Sequence, residues 1–212
     1  MPQKQKKRVQ RGHTKGLSQR TIQALARSEE CKMNGKHEEA LKIAESILME
    51  DPSCVEAAEE VSDNLLSLER IKEASRAAQY ALFLSPKSYI ANFVLGFVAS
   101  QEEAWGKSIA FFQMSNAGQP NNPEILRCLG WSLFHSGKRN EGIATLRRAL
   151  FLRNDDPAIL CDLAACYLQM NLFEKAITLL EKAISINKGD DRVQELVDLA
   201  KKLRTAFSED IP

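Results

Sequence analysis

Residues 123–156 read PEILRCLGWSLFHSGKRNEGIATLRRALFLRNDD, and residues 157–190 read PAILCDLAACYLQMNLFEKAITLLEKAISINKGD. Laid over one another they align without a gap. Each carries apolar residues at i, i+3, i+4 and i+7 in its first half and again in its second, the periodicity of amphipathic helices. Asn122 precedes Pro123 and Asp156 precedes Pro157, a capping side chain ahead of a first-turn proline. Gly137 and Asn171 fall between the halves, where a left-handed residue can end the first helix. The spacing predicts two helices per segment, joined by a tight turn.

Segments beginning at Thr21, Val55 and Tyr89 fall into the same frame, so the spacing is 34 residues throughout with no insertion. The twentieth position carries Ala40, Ala74, Ser108, Gly142 and Ala176, all small enough for two helices of a hairpin to approach closely. The twenty-seventh carries Ile47, Ala81, Ser115, Ala149 and Ala183, and the thirty-second carries Pro52, Pro86, Pro120, Asn154 and Lys188. Gly35 adds a turn residue in the first segment, and Ser53 with Glu56 reads as a capping box ahead of the second.

The fourth segment places Leu126, Leu129, Gly130 and Leu133 along its first helix, and the fifth places Leu160, Leu163, Ala164 and Tyr167 there. Segment three supplies Leu95, Gly96 and Phe112, segment two Ala58, Val61, Ser62 and Leu65, and segment one Ala24, Arg27, Ser28 and Cys31. These columns resemble the tetratricopeptide repeat family, whose pattern is W-x2-L-G-x2-Y, then A-x3-F, A and P. Arg27 departs from it, standing where the family has an apolar leucine.

The resemblance implies an all-α, right-handed superhelical solenoid of five helix-turn-helix repeats at 21–54, 55–88, 89–122, 123–156 and 157–190. One hairpin cannot bury its apolar face alone, so neighbours must stack and the last needs a cover. Residues 191–207 supply a capping helix, with Val193, Leu196, Val197, Ala200 and Leu203 on one face. Residues 208–212 form a short tail.

Residues 1–20 hold seven Lys or Arg and no acid, and lack an apolar stripe, which predicts an unstructured basic tail. The whole chain is +1, so the remainder is near −6. Lys4, Lys6, Lys7, Arg8 and Arg11 could meet a polyanion, such as nucleic acid or a ribosome. Equally, they could solvate the chain or fold back onto an acidic second repeat.

No run of roughly 18 apolar residues occurs, so no membrane span is predicted, and the basic start is not followed by the apolar run of a secretory signal. A cytoplasmic protein is expected. Five cysteines without a CxxC predict neither a disulfide framework nor a zinc site. His13, His37 and His135 share no helical face, and no phosphate-binding glycine loop, nucleophile elbow or HExxH is present. Neither catalysis, a metal nor a cofactor is expected.

In tetratricopeptide proteins the stripe at repeat positions 2, 5, 6, 9, 12 and 13 lines a concave groove. By that register repeat two contributes Glu56, Glu59, Glu60 and Asp63, an acidic flank. Repeat three contributes Ile90, Phe93, Val94 and Phe97, and repeat four Arg127, Cys128, Trp131, Phe134 and His135. Repeat five adds Cys161, Ala165 and Leu168 around Asp162. A contiguous apolar groove beside acid predicts a protein or peptide client with large apolar anchors and basic flanks.

The bland reading of the same stripe is that it fills a tightly curved interior. The carboxylate-binding groove of some co-chaperones needs Lys, Arg and Asn at these positions and is not matched. Asp156 to Met170, DPAILCDLAACYLQM, resembles the tetratricopeptide chaperones of secretion translocators, which have fewer repeats. The expected function is therefore a non-catalytic adaptor or chaperone-like protein. A homo-oligomeric scaffold, in which a second copy covers the groove or an exposed end, is the alternative.

Overall fold

A computed structural model describes residues 16–187 and 191–209. The described residues form eleven α-helices and no strand: α1 (Gln19–Met33), α2 (His37–Glu50), α3 (Val55–Ser67), α4 (Ile71–Leu84), α5 (Tyr89–Gln101), α6 (Trp105–Gly118), α7 (Pro123–His135), α8 (Arg139–Leu152), α9 (Pro157–Gln169), α10 (Phe173–Ile186) and α11 (Asp191–Glu209). Odd-numbered helices are the first of each hairpin and even-numbered ones the second. From α3 onward first helices begin every 34 residues, and so do all second helices.

Helix starts follow local chemistry. The side chains of Ser18, Ser88, Asn122 and Asp156 accept backbone N–H groups in the first turns of α1, α5, α7 and α9, satisfying donors the helix leaves free. Leu17 packs beside Leu25 and Ile47 and α1 begins at Gln19, so the last residues of the basic segment belong to the first hairpin. The capping box expected at Ser53 does not form. Cys54 is the N-cap of α3, and Ser53 instead donates both its N–H and its hydroxyl to the Asp51 carboxylate.

The turn inside each of the five hairpins passes through one left-handed residue: Gly35, Glu69, Glu103, Gly137 and Asn171. Glu69 and Glu103 hold φ of 58° and 54° with a β-carbon, a conformation that costs an L-residue about 1 to 2 kcal/mol. Glycine removes that strain but frees the unfolded chain. Glu69→Gly and Glu103→Gly are each expected to add about 0.5 kcal/mol, read as a small rise in the thermal midpoint.

The two helices of a hairpin cross where both are small. Ser28 donates to Ala40 O at 3.0 Å, and Ser108 donates to Gly96 O at 2.9 Å. At the fourth crossing Gly130 meets Gly142, and a β-carbon on Gly142 would stand 2.6 Å from both Gly130 O and Phe134 N. This approach explains the small twentieth position of the repeat.

Stacking follows one rule along the array. Val61 and Leu65 of α3 pack on Leu41 and Ala44 of α2, and Leu129 and Leu133 of α7 pack on Phe112 of α6. Leu163 of α9 packs on Leu146 and Ala149, and Val197 and Ala200 of α11 pack on Ala176, Ile177 and Leu180 of α10. Each first helix thus buries its apolar stripe against the preceding second helix, and α11 sits as a sixth first helix. Arg27 occupies the same column in α1, which has no preceding helix among the described residues, and is exposed.

Neighbouring first helices also touch one another, α1 with α3, α3 with α5, α5 with α7 and α7 with α9. Among the described residues no pair of second helices is in comparable contact. The array therefore curves with its first helices inside, as a right-handed superhelix.

Candidate partner-binding groove

The inner face is built from the first helices, and its middle is apolar. Phe93 and Phe97 of α5 lie half-buried, packed with Ile109 against Phe112, Cys128, Leu129 and Leu133. Phe93 and Phe112 have ring centroids 5.7 Å apart. Trp131 of α7 is also half-buried and leans on His135, 4.3 Å between centroids, which in turn stacks on Trp105 at 5.1 Å. Burial lowers the His135 pKa, so its imidazole is neutral at pH 7. Ile90 and Leu168 are half-buried on either side of this row.

Three residues expected in the groove are corrected. Val94 is 0% exposed and Phe134 2%, and Cys128 is buried. Val94 belongs to the core between repeats two and three, while Phe134 packs with Leu146 and Leu163. A curved array turns its sixth and twelfth positions toward the neighbouring repeat, so these side chains pack instead of facing a ligand. The interior-filling reading fits these three, while Phe93, Phe97 and Trp131 pack on the core and keep part of their surface accessible.

The acidic flank is also not bare. Glu56, Glu59, Glu60 and Asp63 are half-buried on α3, and Lys32 of α1 reaches across to Glu60 at 3.0 Å and Asp63 at 2.9 Å. Burial acts to lower the Lys32 pKa, but the two carboxylates overcome it and hold the ammonium above its ordinary range. Tyr89 lies within reach of the same charges, and burial pushes its phenol up.

A second ion-pair node spans repeats four and five. Arg127 bonds Glu124 at 2.6 Å and Asp162 at 2.8 Å. Burial opposes its charge, yet the Glu124 hydrogen bond, with Asp162 beside it, keeps the guanidinium firmly protonated. Burial raises the Asp162 carboxyl, which Arg127 only partly offsets. Removing the cation leaves two half-buried carboxylates facing one another. Arg127→Met is therefore expected to cost about 1 to 3 kcal/mol, measured by urea unfolding, with Arg127→Lys losing less.

Burial pushes the Cys128 and Cys166 thiols up to about 12, so both stay protonated at neutral pH and provide no thiolate. Among the described residues no group of three or more His, Cys, Asp or Glu is placed to hold a metal ion. No described helix is long and apolar enough to cross a membrane. Lys4, Lys6, Lys7, Arg8 and Arg11 lie outside the described residues.

Sequence reasoning misses one apolar feature. On the outer face Met49, Phe83 and Phe151, all at the twenty-ninth repeat position, are 84%, 81% and 85% exposed. The repeat column is the available signal, since the same position carries a large apolar residue in three of the five repeats.

A superhelical stack of helical hairpins with a partly apolar inner face defines a helical repeat scaffold. Residues 133–200 match the family model described as tetratricopeptide repeat. No curated protein matches the sequence.

Among solved structures, a thermophilic tetratricopeptide protein of Thermus thermophilus superposes with TM-score 0.69 at 20% identity. That match covers 85% of this chain and 98% of the other. MamA residues 41-end from Desulfovibrio magneticus RS-1 gives 0.63 at 17%, covering 82% and 98%. A chain of the APC/C hetero-tetramer Cut9-Hcn1 gives 0.74 at 19%, covering 85% of this chain but 36% of that longer one. At these identities the likeness establishes the fold alone.

Proposed function

We propose that the chain is an adaptor, chaperone-like in mode, that holds a segment of a partner protein along its inner face and catalyses nothing. The observation that carries this reading is the row of partly exposed aromatic rings, Phe93, Phe97 and Trp131, on adjacent first helices. Large apolar rings on the inside of a curved array are the surface expected of a groove whose occupant covers them. Glu56 at one end, beside the carboxylates that Lys32 holds, favours Lys or Arg in the partner on that side. Arg127 is held by two carboxylates and adds little free positive charge. The occupant is thus a segment with two or three large apolar anchors and a basic flank.

The test is selection from a library of short peptides followed by calorimetry on the wild-type chain and on the double variant Phe97→Ala/Trp131→Ala. Selected peptides should be aromatic or aliphatic with flanking Lys or Arg. The double variant should bind them about 2 kcal/mol more weakly, roughly 30-fold, while keeping its helical content. Unchanged affinity in a folded double variant would overturn the reading. Glu56→Lys should weaken the same peptides at low salt and lose its effect at high salt.

A further inference from the structure

Because the array curves with its first helices inside, its second helices part on the outside, and α8 and α10 make no contact comparable to that of neighbouring first helices. Between them lies an open crevice of about 380 Å³, lined by Arg147 of α8, Tyr167 of α9 and Lys175, Thr178 and Leu179 of α10. Helix α9 packs under both walls, so Tyr167 forms the floor, and the Lys175 ammonium sits over its ring, 5.6 Å from the centroid. Arg147 and Lys175 hold the twenty-fifth position of one repeat and the nineteenth of the next. At the other three junctions between repeats those positions carry Glu45 and Glu73, Gln79 and Lys107, and Gln113 and Glu141, so this junction alone of the four has a cation on both walls.

The charges around the crevice say what fits it. Neither Arg147 nor Lys175 is paired with a carboxylate among the described residues, whereas the acids of α10 are drawn to α11, Glu174 by Arg204 at 2.9 Å and Glu181 by Lys201 at 2.8 Å. The Thr178 hydroxyl already donates to Glu174 O, but that of Tyr167 has no hydrogen-bond partner among the described residues. Phe151 stands one turn beyond Arg147 on the same face of α8 and is 85% exposed. Arg148 beside it bonds the neutral side chain of Asn121, which leaves its charge uncancelled. Cations thus stand on separate helices with apolar surface between them, and the patch runs on along α8. That layout suits an extended ligand better than a compact anion: a chain segment with carboxylates on both sides of a large apolar side chain meets all of it.

We propose that the α8–α10 crevice is a second docking site, which takes an acidic segment of a partner protein. Asp or Glu side chains of that segment pair with Arg147, Arg148 and Lys175, and one large apolar side chain rests on Tyr167 and Leu179 with Phe151 at the edge. The inner groove favours a basic flank, so the two faces select segments of opposite charge, and neither site depends on the other. The crevice is open and its cations are solvated, so binding is expected to be weak, with Kd on the order of 10 to 100 μM.

Fluorescence anisotropy of the full chain against a fixed array of labelled octapeptides, each with one Phe, Trp or Leu set among Asp and Glu, tests this. Acidic peptides of the array should bind the wild type. Arg147→Glu/Lys175→Glu, which changes two exposed side chains, should keep its circular dichroism and weaken them roughly tenfold or more, and Phe151→Ala about threefold. Phe97→Ala/Trp131→Ala should bind them like the wild type, which separates this site from the inner groove. The absence of any acidic binder overturns the proposal. So does binding that persists in Arg147→Glu/Lys175→Glu, as it would through the basic residues 1–15, or that is lost in Phe97→Ala/Trp131→Ala. Unchanged affinity in Phe151→Ala would overturn the apolar half of the site. Poly(U) affinity that falls in Arg147→Glu/Lys175→Glu, with no acidic peptide bound by the wild type, would make the crevice a nucleic-acid site instead.

Discussion

Phe112→Ala is expected to lower the unfolding free energy by about 3 to 5 kcal/mol, the largest loss of any single truncation of the core. Phe112 is fully buried and is the largest side chain to be so among the described residues. Its ring fills the space left by the missing side chain of Gly96, where a β-carbon would lie 2.9 Å from it. On its other side lie Leu129 and Leu133 of the next repeat, with Phe93 against its face. The ring therefore joins α5, α6 and α7, and its removal leaves a cavity at the joint between repeats three and four. Since such arrays are stabilised by nearest-neighbour interfaces, the loss should also split one unfolding transition into two. Urea unfolding followed by circular dichroism and by tryptophan fluorescence checks both points. Phe112→Leu, which keeps most of the volume, should lose about 1 kcal/mol and leave the transition single.

Gly142→Ala is expected to be the more unusual result, because alanine is the better helix former by about 1 kcal/mol and still should lose. The new β-carbon would meet Gly130 O and Phe134 N at 2.6 Å. Those are backbone atoms of the paired helix and cannot rotate aside, so α7 and α8 must be pushed apart along their length. A net destabilisation of about 2 to 3 kcal/mol follows from overpacking of this kind. Ala40 and Ala74, at the same repeat position, show that other crossings accept a β-carbon, where serine stands opposite in place of glycine. Gly142→Ala should therefore lower the thermal midpoint by several degrees, and Gly106→Ala, with open space around it, should not.

Most of this architecture is legible in the sequence because repetition multiplies weak signals. One small residue decides little, but five small residues at a 34-residue spacing fix where two helices cross. Asn122 and Asp156 announce their helices because capping is local chemistry. The failures come from what a single column cannot carry. Glu69 and Glu103 hold the same left-handed turn as Gly35 and Gly137, and nothing in glutamate signals it. Ser53 has the spacing of a capping box, but Asp51 competes for its donors.

The inner face is harder still. Register places Val94, Phe134 and Phe97 on one stripe, but how far each turns toward its neighbour depends on the curvature of the stack, which no local pattern encodes. Nothing local signals Lys32 beside Glu60 and Asp63 either, since it comes from another repeat.

The inner row of Phe93, Phe97 and Trp131 is the proposed seat of the partner, and the outer positions of Met49, Phe83 and Phe151 are a second exposed apolar surface. Amide hydrogen exchange of the chain with and without a saturating library-selected peptide separates them. Slowed exchange is expected in α5 and α7, where the aromatic row stands, with α4 and α8 unchanged. Protection confined to α2, α4 and α8, the helices that carry Met49, Phe83 and Phe151, would contradict it.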